Sequence, residues 1–355
     1  MESKSKPKTV AVIFGGFSPE YIVSLKSAHS IINAIDRDKY DVILIGITNQ
    51  GQWYRYYGPV DDIPTDKWHA DENLLRKAFI SPERGGGLLE FEDGKVKPVP
   101  VDVVFPVLHG RYGEDGTIQG LCELASIPVV GAGSAASSLC MDKDRANKLV
   151  SLAGVSIPRS VCWEYLPTDD ELISSASDLK LPLFVKPVKG GSSIGITKAQ
   201  SYAELPEAVL LARRYDDAVI IEEGIDGMEV GCAVVGNRHV STGRVDEIEV
   251  ASGFFDYEEK YSLKTSKIHV PARIDEETES RVQEAAKVVY RTLGCRGYAR
   301  VDIFLTKENK IVFNEANTIP GFTSGSRFPS MLKGVGIEYP ELVDMLIELA
   351  LGIRE

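Results

Sequence analysis

The 355-residue chain contains no run approaching the ~20 apolar residues of a membrane span. Nor is it rich in positive charge. Lys and Arg number 40 against 52 Asp and Glu, a formal charge of −12, which argues against nucleic acid as the main partner. Cysteine is sparse and has no paired spacing: Cys122, Cys140, Cys162, Cys232 and Cys295 read as reduced thiols, which points to the cytoplasm. The opening MESKSKPKT is basic but runs straight into a strand-like segment, so no secretory signal is expected. Repeats and low-complexity linkers are missing too. The length leaves room for two or three domains, and 43% hydrophobic residues allow a large core.

The most informative stretch lies near the C-terminus, ARVDIFLTKENKIVFNEANTIPGFTSGSR, from Ala299 to Arg327. Val301–Leu305 and Ile311–Phe313 flank the polar Lys307-Glu308-Asn309-Lys310, a hairpin signal with a four-residue loop. Pairing Leu305 with Val312 sets Asp302 opposite Glu315 and Arg300 opposite Asn317, and puts Phe304 and Phe313 on one face. Opposed carboxylates repel and need compensation. Oxygen ligands beside an Asn carbonyl suit Mg²⁺, which usually bridges to nucleotide phosphates, and Arg300 can hold a phosphate beside it. The Ile319-Pro320-Gly321-Phe322 turn can aim backbone N–H groups at a ligand. The competing reading is a surface hairpin whose acids pair with lysines.

Earlier in the chain, Thr9–Phe14 predicts a buried parallel strand, Gly15-Gly16 ends it, and Ile22–Ile35 has helical spacing. This order presents a helix N-terminus to an anion, although the turn is not GxGxxG and an ordinary tight turn is equally open. Tyr40–Ile47, Val101–Val107 and Ile127–Val130 read as further strands, so a parallel sheet with helices on both faces is expected. The glycine-rich Leu108–Gly120 follows a strand, where such folds carry ligands, and His109 and Glu114 are its candidates. Ala132–Ser138 is a small-residue passage. Asp142 is the expected N-cap of a helix running to Leu152 and stopping at Gly154. That places Lys143 in the first turn, where a nearby phosphate offsets its conflict with the helix dipole.

Leu181–Pro187 is an apolar strand carrying Lys186, a costly residue there unless paired. Lys189–Gly195 is a glycine-serine loop whose N–H groups can cover phosphates without the GK[ST] start of a Walker A motif. Val219–Glu223 is a strand, and Gly227 starts the next. Their join suits adenine and ribose, with Glu229 for the hydroxyls. Ser252–Pro271 is long, aromatic and charged, with no clean period until Lys267–Val270, and reads as a lid. Asp275–Leu293 and Glu338–Leu351 are helices.

These pieces resemble the D-alanine–D-alanine ligase family of ATP-grasp enzymes. The motifs occur in family order over nearly the whole chain: GGFSPE…VSL, LHGRYGEDGTIQG, MDKDR, FVKP, GGSSIG, EKY, ARVDIF and FNEANTIPGFTS. The resemblance is nearest to the branch with vancomycin-resistance D-alanine–D-serine ligases. It implies an α/β and α+β, three-domain ATP-grasp architecture with a Rossmann-like parallel-sheet domain at residues 1–132. Residues 133–227 and 228–355 would form the two ATP-grasp subdomains, with the lid at 252–271.

By the same resemblance, Lys143, Lys186 and Lys260 would hold ATP phosphates. Glu222, Glu223 and Ile225 would meet adenine, and Glu229 the ribose. Asp302, Glu315 and Asn317 would bind two Mg²⁺ ions, with Mn²⁺ able to substitute. Glu20, Ser192 and Tyr261 resemble the triad that closes the lid and positions the first D-alanine. Arg300 and the Gly321 N–H would stabilise the oxyanion, and His109, Ser326 and Arg327 would bind the amino-acid substrates. The implied enzyme is a cytoplasmic homodimer that joins D-alanine to a second D-amino acid for peptidoglycan, without nucleic acid or membrane.

Two positions depart from the family pattern. Gly325 stands where His is common, and Arg327 where many D-alanine-only members have an aliphatic residue. Both leave the second substrate open between D-alanine and D-serine, while the EKY segment favours an amine acceptor over D-lactate. A biotin-dependent carboxylase subunit would lack EKY and be longer. A non-catalytic nucleotide module would be expected to lose Asp302, Glu315 or Arg300, and all three are present.

Overall fold

The computed structural model describes residues 6–250 and 266–355. The chain forms three sheets of seven, four and five strands. In the first sheet Lys8–Gly15 runs parallel to Tyr40–Ile47 on one side and Val103–Val107 on the other. Alternation along the central strand divides the core. Val10, Val12 and Phe14 pack with the helix Tyr21–Ala34 and the C-terminal helix Tyr339–Leu351. Ala11 and Ile13 face Ile118 and Cys122 of the helix Thr117–Leu124. The expected helices on both faces are therefore present, and one of them comes from the far end of the chain.

The parallel part is only one side of this sheet. Trp53–Tyr56, Leu75–Ile80, Leu88–Glu92 and Lys95–Val99 extend it in antiparallel fashion. Their mixed polar composition hid them from the apolar-run reading. Ile127–Val130, expected as a strand, makes only an isolated bridge from Val129 to Val104. The small-residue passage is a helix, Ser134–Met141, because Ala and Ser carry little periodic signal but pack closely.

The four-stranded antiparallel sheet contains Ser160–Trp163, Leu183–Pro187, Thr197–Ala199 and Val219–Glu223. Leu183, Val185, Val219 and Ile221 pack against the helices Asp169–Ala176 and Leu205–Ala212. Phe184 and Lys186 therefore point to the opposite face.

In the five-stranded sheet Tyr298–Thr306 lies between Gly227–Val235 and Ile311–Asn317, with Ser241–Val250 and Ser266–His269 beyond. Val301, Ile303 and Leu305 pack against the helix Glu276–Thr292 through Val282, Ala286 and Val289. Arg300, Asp302 and Phe304 alternate onto the other face.

The hairpin register differs from the expectation near its loop. Leu305 pairs with Ile311 and Phe304 with Val312, and the register shifts between Asp302 and Ile303. The bulge places Asn314 as an extra residue, after which Asp302 faces Glu315 and Arg300 faces Asn317 as expected. Phe313 is consequently in the core and Phe304 lines the cleft, so the two rings do not share a face.

The Lys143–Leu152 helix begins as expected: the Asp142 carboxylate accepts the Arg145 backbone N–H at 2.9 Å. Asp142 is buried. Replacing it by Ala should cost about 1 kcal/mol and by Asn much less, since an amide oxygen still caps. Urea unfolding checks this, and equal midpoints for all three proteins would reject the cap.

Candidate active site

A cavity of ≈ 510 Å³ lies between the four- and five-stranded sheets. Lys143, Lys186, Glu222, Glu223, Ile225, Glu229 and Glu315 all line it. Residues far apart in sequence are thus gathered around one volume. Lys260 and Tyr261, and the lid segment through residue 265, lie outside the described residues.

The lysine in the apolar strand is paired. Lys186 Nζ is 2.7 Å from Glu222, which also accepts from Asn147 Nδ2 at 2.8 Å. Burial alone would lower the Lys186 pKa, but Glu222 outweighs it and holds the ammonium above its ordinary value. The cleft therefore keeps a fixed cation here. Lys143, at the helix start, donates to the Gly190 carbonyl of the glycine-serine loop. Glu223 accepts the Lys180 N–H at 3.0 Å and Arg159 Nη1 at 3.2 Å.

Asp302 is 1% exposed. Arg300 grips it with Nη2 to Oδ2 at 2.7 Å and Nε to Oδ1 at 2.8 Å. Asn317 Nδ2 adds a bond at 2.9 Å, and Arg327 Nη2 lies 3.3 Å away. The carboxylate facing Glu315 is thus compensated by two guanidinium groups, not solely by a cation as the sequence suggested. Burial would lower the Arg300 pKa, but Asp302 raises it further, so the guanidinium stays charged.

The donor set still fits a hard divalent cation. Asp302, Glu315 and Asn317 offer oxygen on adjacent strands, and Glu315 lines the cavity. Among the described residues no group of three acidic, His or Cys side chains is gathered for a metal.

The Ile319–Phe322 turn is held from outside. The Ile319 N–H donates to Glu114 at 3.1 Å, and the Ile319 carbonyl accepts from His109 Nδ1 at 2.8 Å. The Phe322 N–H reaches Ser27 Oγ at 3.3 Å, and its carbonyl accepts from Tyr339 at 2.6 Å. Pro320 has no N–H. The Gly321 N–H is therefore the one donor of this turn with no protein acceptor among the described residues.

His109, expected at the substrate site, is bound by protein groups in this structure. Both ring nitrogens are engaged, Nδ1 with Ile319 and Nε2 with Ser27 Oγ at 3.1 Å. Burial lowers its pKa although Glu20 pulls the other way, so the ring is a neutral brace. Glu114 lines a small neighbouring pocket with Lys143, Gly190, Gly191, Glu315 and Asn317. Burial first, then Glu20, pushes its carboxyl up to about 8.

Glu20 and Ser192 meet as expected: the Ser192 hydroxyl donates to the Glu20 carboxylate. Ser192 and Ser193 both have positive φ, +51° and +57°, which bends the loop toward Glu20. Gly110 and Gly191 lie against the same carboxylate. A Cβ at Gly110 would come within 2.4 Å of Glu20 Oε2.

Comparison with known proteins follows the same lines. Family models described as the D-ala D-ala ligase N-terminus and C-terminus match residues 9–132 and 164–348. The chain belongs to the D-alanine–D-alanine ligase family. The solved structure of the VanG D-Ala:D-Ser ligase from Enterococcus faecalis superposes with a TM-score of 0.91 at 52% identity, covering 97% of this chain and 100% of that one. A vancomycin C-type resistance protein of Enterococcus gallinarum is 43% identical over 97% of this chain and 98% of its own length. A D-alanine–D-alanine ligase of Acetivibrio thermocellus is 45% identical, covering 97% and 96% respectively. The architecture is that of ATP-grasp ligases, which use ATP and a divalent metal.

Within this ligase fold Arg327 is more constrained than its sequence position suggested. Its Nε and Nη2 bind Asp246 at 2.6 and 2.8 Å, while Nη1 lies 3.9 Å from Glu229. Asp246 is 0% exposed. Burial would lower the Arg327 pKa, and Asp246 with Asp302 raises it well beyond the ordinary value. Ser326 stands at the N-cap position of the helix Arg327–Lys333 without a side-chain capping bond; its hydroxyl pairs with Thr323 instead, with Oγ 3.5 Å from where a Gly321 Cβ would stand. Gly325 faces open space.

Sequence reasoning missed Asp246 and Gly231. The signal available was an acid inside an alternating strand, VDEIEV, with no lysine at helical or hairpin spacing. Gly231 is required by close approach: a Cβ there would lie 2.4 Å from Arg327 Nη2, 2.6 Å from Asp246 Oδ1 and 3.0 Å from Asp302 Oδ1. Gly231→Ala should therefore displace Asp302 and Arg327 together and lower kcat/KM by about 100-fold. Steady-state ADP release is the measurement, and a variant within a few-fold of wild type would show that the cluster tolerates displacement.

Proposed function

We propose that this chain is an ATP-dependent ligase that joins D-alanine to a second D-amino acid for peptidoglycan, through a D-alanyl phosphate. The observation that carries this reading is the convergence of Lys143, Lys186 and Glu315 on one nucleotide-sized cleft, with Asp302 opposite Glu315 on the neighbouring strand. Glu222, Glu223 and Ile225 line the cleft and would meet adenine, and Glu229, which lines it too, would meet the ribose. Residues 1–132 form the N-terminal domain, and 133–227 and 228–355 the two halves that grip ATP. The enzyme is read as a cytoplasmic homodimer, with the dimer tested by light scattering.

Glu20 and Ser192, with Tyr261 from the lid, position the first D-alanine. Its carboxylate oxygen attacks the γ-phosphorus of ATP, the P–O bond to ADP breaks, and an acyl phosphate results. Two Mg²⁺ ions held by Asp302, Glu315 and Asn317 would neutralise charge on the phosphates when bound. Lys143 and Lys186 supply fixed positive charge from the protein. The amine of the second amino acid then attacks the acyl carbon. Arg300 and the Gly321 N–H stabilise the tetrahedral oxyanion, and phosphate leaves. Exclusion of water from this step is the task assigned to the lid.

Glu315→Gln should abolish ligation while leaving the thermal unfolding curve intact, because the amide keeps the shape but loses the anionic ligand. Full ligation by this variant at ordinary Mg²⁺ would remove the metal assignment.

The second reading concerns the acceptor. Arg327, Ser326 and Gly325 border the Gly321 turn, and a guanidinium held this rigidly can read an acceptor carboxylate or a serine hydroxyl. A site that pairs with a hydroxyl is left unsatisfied by alanine, and so gains selectivity. Both acceptors should be used, with D-serine competitive. Arg327→Leu alone would strand Asp246 as a buried charge, so the cleaner comparison is Arg327→Leu with Asp246→Asn. The ratio of kcat/KM for D-serine over D-alanine should fall in the double variant. An unchanged ratio would mean that Arg327 does not read the acceptor.

A further inference from the structure

We propose that Glu114 is a positioning residue, a strut that sets the distance between the first-substrate site at Glu20 and the oxyanion donor at Gly321. The proposal rests on the ligase reading and adds a residue to it.

One carboxylate spans two segments. Glu114 Oε2 accepts the Gly110 N–H at 2.8 Å, and Oε1 accepts the Ile319 N–H at 3.1 Å, 205 residues away. Gly110 in turn abuts Glu20, since a Cβ there would lie 2.4 Å from Glu20 Oε2. It adopts φ +74°, so only glycine meets both demands comfortably. Ile319 stands two residues before Gly321. The chain of contacts therefore runs from Glu20 through Gly110 and Glu114 to Ile319 and the Gly321 turn.

A side chain with two acceptor oxygens is suited to this place, and the two backbone N–H groups that it accepts favour its charged form against burial and Glu20. It accepts on both oxygens, whereas Gln accepts on only one and sets an N–H against an N–H. His109 holds the Ile319 carbonyl from the same loop, so both polar groups of Ile319 are fixed by residues Leu108–Gly120. Two sites on different sheets must keep a near-attack separation while the acyl phosphate waits for an amine. A shift of about 1 Å at such a site can cost about 100-fold in rate.

Loss of the strut should uncouple the steps. Glu114 neighbours Lys143 and Glu315, but its hydrogen bonds go to Gly110 and Ile319 and to no side chain of the nucleotide cleft. Aminolysis needs the Gly321 N–H at the acyl carbon, so a displaced turn leaves the acyl phosphate to water. The experiment compares wild type, Glu114→Gln and Glu114→Ala by phosphate and dipeptide formed from ATP and D-alanine. It adds hydrogen exchange at the Ile319 amide and thermal unfolding. Wild type should form one phosphate per dipeptide. Dipeptide formation should fall roughly 10-fold in Gln and about 100-fold in Ala, phosphate per dipeptide should rise above one, and the KM for ATP should not move. Ile319 should exchange faster in both variants.

A ratio that stays at one, with rate and unfolding temperature falling together, would make Glu114 merely structural and overturn the proposal. Unchanged rates, or unchanged exchange at Ile319 in Glu114→Ala, would also overturn it. A wild-type protein that forms no dipeptide would overturn the ligase reading instead, and the exchange arm would still decide whether the strut exists.

Discussion

The site depends on the accommodation of Asp302. A carboxylate at 1% exposure, facing Glu315 across a ladder, is unfavourable unless opposite charge is built around it. Arg300 and Arg327 supply that charge, and Asp246 in turn answers Arg327. Each member needs the next, so the cluster tolerates little change in any one of them. The cluster holds two guanidinium groups and two carboxylates in fixed positions.

The surrounding sheets explain how this cluster is held. In every strand that contributes, alternate residues pack into a helix-covered core while the intervening ones reach the cleft. Lys186 and Phe184 do so from one sheet and Phe304 from another, with Arg300 and Asp302 on the same strand face as Phe304. The apolar faces anchor the strands, and polar faces inherit that rigidity. The bulge at Asn314 makes the two requirements compatible, with Phe313 in the core and Glu315 still opposite Asp302.

The N-terminal segment contributes more than a substrate wall. Its Leu108–Gly120 loop and Ser27 bind the Ile319–Phe322 turn at both ends, and among the described residues the Gly321 N–H is the one donor of the turn left without a protein acceptor. The C-terminal helix reciprocates by packing on the N-terminal sheet. Ends of the chain more than 300 residues apart thus share one core, as the Tyr40–Asp344 hydrogen bond also shows, with a separation of 304. Catalytic geometry in this arrangement belongs to the contact between segments rather than to any one of them.

Much was legible in the sequence where the signal is local. Apolar runs marked Thr9–Phe14, Tyr40–Ile47 and Val219–Glu223. Asp142 and Asp275 marked helix starts, and period two put Asp302 across from Glu315. These follow from backbone geometry over a few residues, which the order of side chains alone dictates. The antiparallel strands between Trp53 and Val99, the helix Ser134–Met141, the Asn314 bulge, the Asp246–Arg327 pair and the bracing roles of His109 and Glu114 were decided only in three dimensions. Strand order, register shifts and which buried charges meet are set by packing between segments tens to hundreds of residues apart. No local pattern records that packing, because its energy is realised only when the whole core closes.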